Sequence, residues 1–174
     1  GVMSTDRNKG WVYQMDSNKR LTRVIENTGT ANGMGFNNDE TQLFFCDSKK
    51  SDVSVFDYDK ETGQISNQRR IFQTLRSTSG SPDGLCVDSD DNLWIGLWEG
   101  SSIVQIDQEG VELKKIEFPT RKITTLCFAG EDLNDMYINS AGAEDLDLNG
   151  QSAGALFHLR LGIKGKYEYR SRFD

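Results

Sequence analysis

"SPDGLCVDSDDNLWIGLWEGSSIVQIDQEGVELKKIEF", residues 81–118, sets the architecture of the chain. Four short runs follow one another here: "DGLCVD" (83–88), "NLWIGLW" (92–98), "SIVQIDQ" (102–108) and "ELKKIEF" (112–118). Clusters of Asp, Asn, Gly and Ser separate them, and these residues favour tight turns. Each run is too short for a stable helix and keeps the apolar–polar spacing of a strand. Four antiparallel strands joined by tight turns form a self-contained sheet.

The same unit recurs on both sides. Upstream stand "NGMGFN" (32–37), "QLFFCDS" (42–48), "VSVFDYD" (53–59) and "NQRRIFQ" (67–73). Downstream stand "TTLCFA" (124–129), "DMYINSA" (135–141), "GALFHLR" (154–160) and "KYEYRSR" (166–172). A repeat of about 40–50 residues with four strands is the signature of a propeller blade. "GWVYQMD" (10–16) and "LTRVIEN" (21–27) match third and fourth strands, because Tyr13 and Asp16 have the spacing of Phe56 and Asp59. The expected fold is all-β: a single propeller domain of about three and a half blades, divided at 1–31 (half blade), 32–80, 81–120 and 121–174. Such an array does not close by itself. The expectation is a fragment, completed by an N-terminal segment or by association through the open blade.

Bulk chemistry narrows the function. The 174 residues suffice for a sizeable core, and 36% are hydrophobic. The formal charge of −7 argues against nucleic acid and anionic membrane partners. No apolar stretch is long enough to span a membrane, and no signal segment opens the chain. The start at Gly1 reads as a processed or cut end. Cys46, Cys86 and Cys127 lie in apolar runs without metal-binding spacing, so buried, reduced thiols and a cytoplasmic setting are expected. The one histidine, His158, reads as a strand residue and leaves no Ser-His-Asp triad.

In a propeller the first strand of each blade lines the central channel. Asn32, Asp83 and Thr124 open successive first strands, so their oxygens converge on one axis. A ring of hard oxygen donors suits Ca²⁺, Mg²⁺ or Mn²⁺. Asn-Gly and Asp-Gly are also ordinary turn dipeptides, which accounts for Gly33 and Gly84 without a metal. Trp94 and Trp98 read as core, Arg121 and Lys122 as a solvated loop, and "AEDLDLNGQ" (143–151) as a mobile insertion without EF-hand spacing.

The run from "ANGMGFNNDETQLFFCDSKKSDVSVFDYDKETGQISNQRRIF" to "SPDGLCVDSDDNLWIGLWEGSSIVQID", closed by "AGALFHLRLGIKGKYEY", resembles the gluconolactonase, senescence marker protein (regucalcin) and luciferin-regenerating enzyme family. The resemblance covers nearly all of the chain, about the C-terminal three-fifths of a member. It implies a six-bladed propeller with a divalent cation in its channel. Ca²⁺ is the first expectation, with Zn²⁺, Mn²⁺ or Mg²⁺ as alternatives. Two of the family's metal ligands map onto Asn32 and Asp83. A third, an N-terminal Glu, has no counterpart here, nor do an Arg and an Asn that hold substrate. "GVM" (1–3) resembles a Gly-Thr-Met run, and a family acidic residue after it aligns with Asp6, which would bond substrate hydroxyls. The implied reaction is metal-dependent hydrolysis of a sugar-acid lactone, with Asp83 as metal ligand and general base. A non-catalytic calcium-binding regulatory propeller, or an inactive fragment that needs its N-terminal segment, are the alternatives.

Overall fold

The computed structural model describes residues 10–168. It is built almost wholly of antiparallel sheets. β1 (Gly10–Met15) pairs with β2 (Leu21–Thr28) in a two-stranded sheet. A four-stranded sheet follows, with β3 (Ala31–Phe36), β4 (Gln42–Asp47), β5 (Asp52–Asp59) and β6 (Gln64–Gln73) paired in chain order. After the four-residue helix α1 (Arg76–Ser79) comes a second such sheet: β7 (Ser81–Val87), β8 (Leu93–Trp98), β9 (Ser102–Ile106) and β10 (Glu112–Glu117). The last sheet has three strands among the described residues: β11 (Lys122–Ala129), β12 (Asp135–Ala141) and β13 (Leu156–Arg160), with helix α2 (Leu146–Asn149) before β13. The fourth strand expected over 166–172 is absent at residues 166–168, and its remainder lies outside the described residues.

The sheets stack face to face in chain order. Val12 and Ile25 pack with Leu43, Phe45 and Phe56 between the first and second sheets. Phe44, Val53 and Val55 meet Leu85, Ile95 and Val104 between the second and third. Trp94 and Ile103 meet Leu126, Met136 and Ile138 between the third and fourth. Strands β8 and β9 are covered on both faces, so their sequences run apolar without alternation and nearly every residue is buried. β13 packs on one face only and alternates. The outer strands β6 and β10 are largely exposed, which explains their Arg, Gln, Lys and Glu content.

Buried polar groups lock the turns. Asp88 is fully buried, yet its carboxylate accepts from Asn92 N (2.9 Å), Trp94 Nε1 (2.9 Å) and Gln105 Nε2 (3.0 Å). Asn37 holds the equivalent turn one sheet earlier through Thr41 N and Gln42 N. A buried carboxylate is tolerable only when saturated with donors in this way.

Three local expectations are corrected. Cys127 is exposed, because it stands on the outward face of the last sheet, opposite Tyr137. The 143–151 stretch is packed rather than mobile: Asp145 caps α2, Asn149 is buried and its carbonyl accepts from Arg121 N. Lys122 begins β11, and its ammonium lies 5.1 Å from the Trp98 ring centroid and 3.3 Å from Glu144. It is therefore not a solvated loop residue.

Candidate functional site

Each inner strand carries a β-bulge at the same place. On β3, Ala31 faces Asp47 and Met34 faces Phe45, so three steps on β3 span two on β4. On β7, Pro82 faces Leu97 and Leu85 faces Ile95. On β11, Ile123 faces Ser140 and Thr125 faces Asn139. The bulged residues are Asn32-Gly33, Asp83-Gly84 and Thr124. A bulge turns a side chain away from the ladder, and here it frees Asn32 and Asp83 for the cavity.

The glycines let the bulges nest. A Cβ on Gly33 would collide with the backbone nitrogen of Leu85 and stand 2.6 Å from the Asp83 carbonyl oxygen. A Cβ on Gly84 would collide with the Thr125 hydroxyl and stand 2.8 Å from the Thr124 carbonyl oxygen. Each glycine thus makes room for the bulge of the next sheet, and this brings Asn32 beside Asp83.

The Asn32 amide lies close enough to the Asp83 carboxyl to favour its charged form. The Asn32 amide also donates to Ser48 Oγ at 3.0 Å. Burial pushes the Asp83 carboxyl up to about 6, and the Asn32 amide opposes that rise. Behind them Cys46 is fully buried; desolvation, and next the charge of Asp83, push its thiol far up. Asn32 and Asp83 open onto a cavity of about 680 Å³, also lined by Ser48, Ser81 and Trp98.

Thr124, the third expected member, stays out of this group. Its hydroxyl donates to the Asn139 carbonyl at 3.2 Å, within its own sheet. Asp6 lies outside the described residues. Trp94 is core, but Trp98 forms part of the cavity wall. The signal for it was in the repeat: the second runs "QLFFCDS" and "NLWIGLW" end on Ser48 and Trp98, and both residues line the cavity.

The donors fit a hard cation in part. A carboxylate and an amide oxygen are the groups such an ion prefers. Asp83 makes no ion pair among the described residues, so a cation beside it would relieve its desolvation. No cluster of three or more His, Cys, Asp or Glu side chains able to hold a metal occurs among the described residues. Two ligands from this stretch would need others.

Comparison with known proteins agrees with the fold. Residues 1–142 match the model of the SMP-30/gluconolactonase/LRE-like region. The chain is 35% identical to pentonolactonase XacC of Haloferax volcanii, over 98% of this chain and 61% of that protein. It is 33% identical to regucalcin of Oryctolagus cuniculus, over 92% of this chain and 55% of that protein. The solved structure of regucalcin from Agrobacterium tumefaciens, described as a calcium-binding protein, superposes with a TM-score of 0.84 at 22% identity, over 94% of this chain and 56% of that one. The chain therefore spans only part of the length of these relatives.

Proposed function

The chain belongs to the SMP-30/gluconolactonase/LRE-like family, and on that footing we propose that the protein hydrolyses the lactone of a sugar acid at the cavity joining Asn32 to Asp83. One observation carries the reading: a desolvated carboxylate and an amide from two neighbouring sheets meet at the wall of a cavity large enough for a sugar ring. Asn32 and Asp83 are the ligands this stretch would give to a divalent cation, Ca²⁺ by preference or Zn²⁺, Mn²⁺ or Mg²⁺. Bound there, the cation would act as a Lewis acid on the lactone carbonyl.

The chain's own residues do the rest. Asp83 is the carboxylate this stretch offers as general base to water. It takes a proton from water as the hydroxide oxygen bonds to the carbonyl carbon. The ring C–O bond then breaks, and the proton passes to the departing ring oxygen. The product is an open hydroxy acid. Asn32, itself fixed by Ser48, flanks the Asp83 carboxylate and favours its charged form. Asp6 is proposed to bond substrate hydroxyls.

The sheets are read as blades of a six-bladed ring, with β1–β2 the outer half of a blade whose inner strands come from an N-terminal segment. Free Cys46, Cys86 and Cys127 suit a reducing cytoplasmic setting. The pentonolactonase name favours catalysis, whereas the regucalcin structure described as a calcium-binding protein favours calcium binding. Proton release from D-glucono-1,5-lactone, followed with and without Ca²⁺ or Mn²⁺ and corrected for spontaneous hydrolysis, tests the choice. Turnover lowered about a hundredfold or more by Asp83→Asn is expected for a lost base. Unchanged turnover in that variant removes Asp83 from the mechanism, and cation binding without turnover selects the regulatory reading.

A further inference from the structure

Among the described residues, the charged side chains lining the cavity are Lys49, Arg76 and Asp83. Two cations to one anion is the reverse of the whole chain, which has 20 basic and 27 acidic residues. Neither Lys49 nor Arg76 forms an ion pair with Asp83 or with any other described acid. Both line the space around Asp83, where they can meet an anionic group that enters the cavity.

Their placement is built rather than incidental. The loop carrying Lys49 is pinned by Asp47, a buried carboxylate that accepts from Gly29 N (2.8 Å), Thr30 N (2.9 Å) and Lys49 N (3.2 Å). The lysine stem lies across Gly29, where an added Cβ would stand 2.6 Å from Lys49 Cβ and 3.1 Å from its Cδ. The loop carrying Arg76 is tied to the first loop: Thr74 N donates to the Ser51 carbonyl at 3.0 Å, and the buried Ser51 and Ser81 hydroxyls bond at 3.1 Å. Thr74 Oγ1 closes the Arg76 loop on the Gly80 carbonyl at 2.7 Å. Lys49 is half-buried and Arg76 exposed, and both open on the same space as Asp83.

We propose that Lys49 and Arg76 form an anion-accepting rim, and that the preferred substrate is a lactone bearing a second acidic group, carboxylate or phosphate, at the end remote from its carbonyl. The inference rests on the lactonase reading for the word lactone alone. A guanidinium and an ammonium bind such oxyanions by charge-assisted hydrogen bonds. Lys49 and Arg76 set specificity; they do not touch the reacting carbonyl.

The test compares substrates that differ only at the remote end. Turnover is measured within two matched pairs: D-glucono-1,5-lactone against its 6-phosphate, and D-glucono-1,4-lactone against D-glucaro-1,4-lactone. Binding of gluconate, 6-phosphogluconate and glucarate is measured by calorimetry, with no turnover required. The wild type is expected to favour at least one doubly functional member by about tenfold or more, the scale of one hydrogen bond to a charged group. Preference for the phospho compounds alone assigns the rim to phosphate, and preference for glucarate alone assigns it to carboxylate. Lys49→Gln with Arg76→Gln should erase that preference through KM while leaving the neutral lactone unchanged. Lys49→Arg with Arg76→Lys should restore it. No preference in the wild type, or an equal loss on neutral and anionic compounds, overturns the rim. Anion preference in binding without hydrolysis of any lactone leaves the rim standing and removes the lactonase reading.

Discussion

At the scale of single residues, Asp83 carries the proposed chemistry. Its ordinary value near 3.8 rises to about 6 because burial disfavours the charge. The direction fixes two signs. Without a cation, the folded state holds the proton more tightly than the unfolded chain between these values. Its stability therefore falls as pH rises through that window, relative to Asp83→Asn, and denaturant titration from pH 4 to 7 should show the difference. A cation at Asp83 competes with the proton, so its apparent affinity should be flat above about pH 6 and fall about tenfold per unit below it. Calorimetric titration with Ca²⁺ at stepped pH checks this, and a pH-independent affinity places the cation elsewhere. Asn32 and Asp83 were readable as candidates from the Asn-Gly and Asp-Gly runs. Lys49 and Arg76 were not, because a lysine or arginine in a loop looks solvated until the folded chain shows which space it faces.

Among elements, the bulge is what positions the site. Strand positions were readable from apolar runs, but the bulges were not. Nothing in "NGMGFN" says that Asn32 and Gly33 together oppose the space of one residue on β4. That mismatch appears only when both strands are paired. The structure also gives Gly33 and Gly84 a duty beyond turn formation, since both are inside strands and touch the next sheet's backbone. Gly33→Ala is expected to destabilise by about 1–3 kcal/mol through overpacking against backbone that cannot move aside. Thermal unfolding measures the loss, and a wild-type midpoint would show that the nesting is loose. Asp88→Ala acts differently, stranding the buried Trp94 indole N–H and the Gln105 amide, at a cost of about 3 kcal/mol.

At the scale of the whole molecule, the described residues form a stack of sheets whose first and last members pack on a neighbouring described sheet on one face only. The repeat in the sequence foretold that stack, and it explains why the middle strands lost their alternation. The ends carry exposed apolar groups: Trp11, Tyr13 and Met15 on β1, and Tyr137 and Leu156 on the last sheet, where Cys127 also stands exposed. A thiol reagent should therefore label Cys127 quickly in this chain and reach Cys46 and Cys86 only on unfolding. Protection of Cys127 in a longer form would show that its face is covered there. The proposed function depends on two adjacent sheets presenting Asn32 and Asp83 to one point. A crystal structure of the protein grown with Ca²⁺, with anomalous density recorded at long wavelength, tests this most directly. The account predicts one peak about 2.3–2.6 Å from an Asn32 amide oxygen and an Asp83 carboxylate oxygen together. A peak bound by neither, or the two side chains facing separate spaces, contradicts it.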